Sequence, residues 1–235
     1  MKILITRPEP DATATAERLI GLGYDCLSLP ATEIVATGNA IPVDTFTAIL
    51  ATSANAFRMM AGADIARLSS IRLHCVGEKT AKIARDLGFG SIRTAGGSGA
   101  KLVSDIKAHY PTPARFLYLT GSPRKPMVEA ELQQAGYQVT SLEVYKAQPV
   151  DVWPGAKIMS FTDMDVALHF SRASVEALLV LAEQSGVLFK LKSLQHLCLS
   201  EDVAFPLHAI HCPRVACSKE ATEQSLLALI ASILP

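Results

Sequence analysis

The chain is short of several features that would mark common functional classes. Its 235 residues carry 22 Lys plus Arg against 22 Asp plus Glu, and no long run of one sign occurs. A general nucleic-acid binder is normally basic, so nucleic acid is not an expected partner. With no whole-protein field, an anionic ligand has to be held by local features. Five cysteines occur, an odd number with no CxxC pair. Such a set argues against a disulfide framework and suits a reducing compartment. No apolar run approaches the ~20 residues that span a bilayer. MKILITRPEP has too short an apolar segment before Arg7 and Pro8 to read as a signal peptide. A cytoplasmic protein with no membrane partner is the expectation.

Chemical signatures are equally sparse. TAGGSGAKLV (94–103) is glycine-rich, yet it fits neither GxxxxGK[ST] nor GxGxxG, so a nucleotide site is disfavoured. His208, His211, Cys212 and Cys217 have a loose zinc-like spacing. Cys217, however, takes the slot that Thr94 takes elsewhere in the chain, which makes it a buried strand residue. Cys75 and Cys198 sit at equivalent strand positions, and a core role is expected for both. No metal and no cofactor is expected. No Ser–His–Asp, paired-carboxylate or Cys–His arrangement stands out. His169 and Tyr145 remain as isolated candidates.

What the chain does have is a core-forming apolar fraction of 49% and a repeat. ITRPEPDATATAERLIGLGYDC (5–26) and LTGSPRKPMVEAELQQAGYQV (119–139) share one plan: strand end, Thr, Pro-rich turn, polar helix, Gly-Tyr, second apolar run. ILATSANAF matches LHFSRASV with Ser53 and Ser171 in register, and LHCVGEK matches HLCLSED with Cys75 and Cys198 in register. Apolar residues at spacings of three and four follow each strand. One set of strands is continuous, near 47–51, 72–76, 91–94, 115–119 and 138–144. The other is split, near 2–5, 25–29, 166–170, 196–199 and 214–217.

This is a circularly permuted duplication. It predicts an α/β protein of two flavodoxin-like lobes with parallel sheets in the order 2-1-3-4-5, one inserted in the other. The outer lobe takes 1–35 plus 152–235 and the inserted lobe 40–146. Connectors over 31–44 and 143–157, rich in Thr, Val, Pro and Gly, read as a two-stranded linker.

Ligands of doubly wound sheets bind beyond the carboxyl ends of the strands. Here those ends carry Thr6, Thr52-Ser53, Gly77, Thr120-Gly121-Ser122, Ser171, Ser200 and Ser218. Each hydroxyl alone reads as an ordinary helix cap. Together they form a ring of anion-binding helix termini, with Arg7 beside Thr6. Periodicity alone leaves Tyr145, on the second connector, a packing residue.

The order of ILITRP, ILATSANAF, VGEKTA (76–81), FLYLTG, AGY, EVY (143–145) and FSRASVEAL resembles the uroporphyrinogen-III synthase family over essentially the whole chain. That resemblance implies a cytoplasmic, cofactor-free lyase of tetrapyrrole and heme biosynthesis, and a chain that already carries two lobes is expected to be a monomer. Its substrate would be hydroxymethylbilane, a linear polycarboxylate tetrapyrrole. The reaction closes that chain with loss of water and inverts the terminal pyrrole ring through a spiro intermediate. It implies that Tyr145 faces the ligand and assists loss of the hydroxyl. It also implies substrate contacts for Ser53, Thr80 and Ser171, to which the strand-end positions Thr6, Arg7, Thr120, Gly121, Ser122 and Ser200 are added. The segment 199–206 (LSEDVAFP) departs from the family pattern. Glu201 and Asp202 would repel carboxylates there, and Pro206 is expected to shorten its helix. A non-catalytic two-lobe tetrapyrrole or small-molecule sensor is the alternative, and this segment is its hint.

Overall fold

The computed structural model describes residues 1–124 and 126–232; Lys125 and the last three residues of the expected outer lobe lie outside the described residues. The chain divides into two units. Met1–Glu33 with Gln148–Pro235 makes the first, and Ile34–Ala147 the second. Eleven strands are described. In chain order β1 to β4 are Lys2–Ile5, Asp25–Ser28, Thr32–Ala36 and Ala48–Ala51; β5 to β8 are Leu73–Cys75, Ile92–Thr94, Arg115–Ser122 and Gln138–Pro149; β9 to β11 are Val166–His169, Gln195–Cys198 and Val215–Cys217.

In the first unit the sheet order is β11-β10-β9-β1-β2, and its strand pairs are all parallel. In the second it is β3-β8-β7-β4-β5-β6, with parallel pairing from β8 through β6. Counted in fold order from β1 or from β7, each five-strand sheet runs 2-1-3-4-5. The second sheet gains β3 on its edge beside β8.

Both faces of each sheet are apolar, as strands covered by helices on two sides require. In the first unit Leu4 and Ala167 enter a core with Trp153, Phe161 and Leu178, while Ile3, Ile5 and Leu168 enter another with Leu19 and Leu226. In the second, Ile49, Leu117 and Leu119 pack with Phe57 and Phe89, and Leu50, Phe116 and Tyr118 pack with Leu102 and Leu132. Crossover helices join successive parallel strands, as sheets of this order demand.

One local expectation fails. The helix after Ser200 runs Glu201–Ala209 straight through Pro206. The ring removes only the bond its own N–H would have made to the Asp202 carbonyl. Val203, Ala204, Pro206 and Leu207 are all buried on this helix. It packs against the helix Arg172–Gln184, and that packing outweighs the lost hydrogen bond.

Candidate functional site

The second unit gathers the fuller set of functional groups. β7 ends in Thr120, Gly121 and Ser122, and β8 runs beside it. Leu119 pairs with Leu142 and Thr120 with Glu143, but Gly121 pairs with Tyr145, so Val144 is an extra residue. This bulge re-phases β8 at the end of the strand pair, the usual device for aiming a side chain. The Tyr145 ring consequently lies on Gly121. A Cβ on that glycine would fall 2.1 Å from Cζ and 2.2 Å from Cε2 of Tyr145. Only a residue without a side chain fits beneath the ring.

The Tyr145 side chain lies beside Ser53, in the turn after β4. Burial pushes the Tyr145 phenol above its ordinary pKa; the Ser53 hydroxyl opposes this and the nearby Tyr118 adds to it. The side chain therefore stays protonated at neutral pH and can act as a hydrogen-bond donor. Ser53 Oγ accepts the Asn55 N–H at 3.2 Å, and the Thr52 and Tyr118 hydroxyls are 3.1 Å apart. Spacing did not single out Tyr118 or Asn55. Tyr118 reads as one more apolar strand position, and Asn55 acts through its backbone.

The remaining candidates of this unit sit around the same strand ends. Thr80 is buried in the first turn of the helix Glu78–Asp86, and Thr120 is buried on β7. Ser122 is half-buried and pairs with Lys146. Arg124, in the following turn, gives its Nε to Glu129 Oε1 at 3.0 Å. A cavity of about 470 Å³ opens in this unit, lined by Thr37, Asn39, Ile41, Arg58, Met60 and Val144 among others.

In the first unit the strand-end residues are mostly engaged with the protein itself. Thr6 is fully buried and its hydroxyl donates to the Leu168 carbonyl at 3.2 Å, while Ser174 Oγ donates to the Thr6 carbonyl at 3.0 Å. Arg7 pairs with Asp11 at 3.0 Å and Glu223 at 3.4 Å, and its guanidinium lies 4.0 Å above the Phe170 ring. Ser171 caps the helix Arg172–Gln184 by accepting the Ser174 N–H at 3.2 Å. Ser200 is the exception: it stands at the N-cap in extended conformation with no side-chain cap bond. Asp202 lies 3.9 Å from the Arg172 guanidinium, and the Cys217 thiol is pushed up to about 11, by burial first and by the neighbouring Glu201 carboxylate.

Behind these ends lies a buried imidazole pair. His196 Nε2 is 3.0 Å from the Leu191 carbonyl, so that nitrogen carries the proton and Nδ1 is an acceptor. His169 Nε2 then donates to His196 Nδ1 at 2.9 Å. His169 Nδ1 is left buried without a partner among the described residues. Cys217 is half-buried on β11, whereas Cys75 and Cys198 are fully buried. No group of three or more His, Cys, Asp or Glu among the described residues could hold a metal ion. No helix among them is long and apolar enough to cross a membrane.

These features define a protein of two doubly wound α/β units with hydroxyls at their strand ends, the second unit also with glycines there and a phenol seated on one of them. The family model described as HEM4, uroporphyrinogen-III synthase HemD, matches residues 13–228, and the chain belongs to that family. Among solved structures it is similar to uroporphyrinogen-III synthetase from Helicobacter pylori, with 16% identity, 99% of each chain covered and a TM-score of 0.71. It is also similar to a mutant uroporphyrinogen III synthase from the extreme thermophile Thermus thermophilus, with 17% identity, 99% of this chain and 98% of that chain covered, and a TM-score of 0.53. No curated protein sequence matches it significantly. At these identities the structural likeness speaks for the fold, and the family model carries the membership.

Proposed function

We propose that this protein is a uroporphyrinogen-III synthase, a hydro-lyase that closes hydroxymethylbilane into uroporphyrinogen III. The observation that carries the proposal is the Tyr145 phenol, kept protonated by burial and seated on Gly121 at a strand carboxyl end, in a chain of the HemD family. In this reading the C–O bond of the substrate's hydroxymethyl group breaks and the electron pair leaves with oxygen. The Tyr145 O–H donates a hydrogen bond to that oxygen as negative charge develops on it. The pyrrole nitrogen conjugated with the emptied carbon takes up the positive charge as an azafulvenium. The terminal ring attacks through its substituted carbon to give a spiro intermediate; the bond from that carbon to its original methylene then breaks, and the ring's unsubstituted α-carbon captures the freed methylene, which closes the macrocycle with the ring inverted. The departed hydroxide and the proton finally lost from that ring make up the water released. No oxidant, metal or organic cofactor is needed for this balance.

The rest of the catalysis is orientation. Holding a flexible chain so that the inverted closure outruns head-to-tail closure is an entropic task. The substrate's carboxylates suit helix N-termini. Ser200, with no cap bond of its own, and Ser122, at the open end of β7, are the hydroxyls best able to serve them. Thr6, Arg7 and Ser171 would shape the strand ends of the first unit, and Thr80 and Thr120 those of the second. The proposed enzyme works as a cytoplasmic monomer.

A coupled assay tests this reading. Porphobilinogen and a bilane-making enzyme are supplied with and without the protein, and the oxidised porphyrin isomers are separated. The type III isomer is the expected product; type I alone, as in uncatalysed closure, would overturn the proposal.

A further inference from the structure

We infer that Ser53 and Gly121 are positioning residues that aim the Tyr145 phenol, Ser53 by fixing the direction of its hydroxyl and Gly121 by fixing the plane of its ring. The inference rests on the synthase reading of Tyr145 and extends it to residues that need not touch the substrate.

The proposed direction makes Ser53 the donor. A serine hydroxyl has one proton to give and two lone pairs to receive with. One lone pair of Ser53 Oγ is occupied by the Asn55 N–H at 3.2 Å. We assign its proton to the Tyr145 oxygen, because Ser53 lowers the phenol's pKa as a donor to the phenolate does. Tyr145 then keeps its own proton for an outside acceptor. The reverse polarity would spend the phenol proton on Ser53 and leave nothing for the leaving oxygen. In this inference backbone Asn55, Ser53 and Tyr145 form a one-way relay that leaves the phenol proton for the substrate. The neighbouring Thr52 and Tyr118 hydroxyls, 3.1 Å apart, bond each other.

Ring placement follows from the backbone. The bulge between Thr120 and Gly121 sets Tyr145, rather than Val144, opposite Gly121. A methyl group at 121 would stand 2.1 to 2.6 Å from three ring carbons. Carbon atoms settle near 3.5–4.0 Å apart, so the ring would be driven off by about 1 Å or more. A shift of that size is enough to misalign a reacting group.

The test uses the full-length protein and the variants Ser53→Ala, Ser53→Thr, Gly121→Ala and Tyr145→Phe. Expected for Ser53→Ala is a loss of about tenfold in kcat with KM little changed, restored in large part by Ser53→Thr. In the Tyr145→Phe background, Ser53→Ala is expected to cost nothing further, because it acts through the phenol. Gly121→Ala should lower kcat in the same way. A second readout needs no turnover. Alkaline titration of phenol absorbance, with Tyr145→Phe identifying the Tyr145 step, should move that step upward in Ser53→Ala, which loses a donor to the phenolate.

An additive Ser53→Ala effect in the Tyr145→Phe background would overturn the relay, as would an unmoved titration step. Wild-type kcat in Gly121→Ala would overturn the role of the glycine. If the wild-type protein makes only the type I isomer, the synthase reading fails, while the titration still decides whether Ser53 donates to Tyr145.

Discussion

The buried His169–His196 pair makes the first unit acid-sensitive. Burial holds the His196 imidazole down at about 4, with the Leu191 carbonyl opposing and Arg214 adding, and burial together with His196 holds His169 well below its ordinary range. In the unfolded chain both would titrate near 6.5. The unfolded state therefore binds protons first as pH falls. The stability this pair contributes is complete above about pH 6.5 and is lost progressively down to the folded-state values. For His196 alone the linkage gives a loss of about 1.3 kcal/mol between pH 7.5 and 5.5, approaching about 3 kcal/mol at pH 4; His169 acts in the same direction. Protonating His169 Nδ1 would also place a charged donor where no acceptor stands among the described residues.

Trp153 is the sole tryptophan of the chain. It lies buried in the core of the same unit, its Nε1–H donating to the Pro30 carbonyl at 3.0 Å. Its fluorescence therefore reports this unit in urea titrations at pH 7.5, 6.5 and 5.5. Few carboxylates titrate over that window, so the imidazoles dominate the slope. Unchanged unfolding free energy between pH 7.5 and 5.5 would refute the reasoning. So would an equal slope in the double variant His169→Leu/His196→Leu.

Three further outcomes follow from the geometry. Tyr145→Phe should lower turnover by about tenfold to a hundredfold, the worth of one hydrogen bond to a developing charge, while product binding measured by equilibrium titration stays close to wild type. Arg7→Met keeps much of the packing on Phe170 but leaves Asp11 and Glu223 without this guanidinium; a loss of about 1–3 kcal/mol is expected in the same Trp153 urea titration. Burial pushes the Cys75 thiol up to about 12 and Cys198 higher still. A disulfide reagent at pH 8 should accordingly modify Cys26 and Cys217 of the folded protein ahead of Cys75, Cys198 and Cys212, with all five reacting in denaturant.

The strand order could be read from the chain because a parallel, doubly covered sheet writes itself as short apolar runs separated by helical periods. ILITRP and FLYLTG begin the same unit, and the distance from each Thr to the following Gly-Tyr survives as a turn, helix and second strand. Pro206 was misleading because propensity is a local quantity. A helix with four buried residues against a neighbour is decided by packing. Thr6 shows the opposite limit. A hydroxyl after a strand is the same letter whether it meets a ligand or, as here, the carbonyl of Leu168 in a strand more than 160 residues away.

Tyr145 marks the point at which pattern stops informing and geometry takes over. Strict alternation along β8 would put Glu143 and Tyr145 on one face of the sheet. The bulge breaks that alternation, because two residues of β8 are spent against one step of β7. No residue type in EVYKA announces it. Its cause is tertiary: an aromatic ring needs room, and Gly121 is where the neighbouring strand has no side chain. The glycine of LTGS, which as a letter suggests only a turn, is thus half of a two-residue device whose other half stands 24 positions later. A glycine at a strand end, facing a strand with an aromatic near the same level, is the signal that could have exposed the phenol from the sequence. It becomes visible only once the two strands are known to be neighbours.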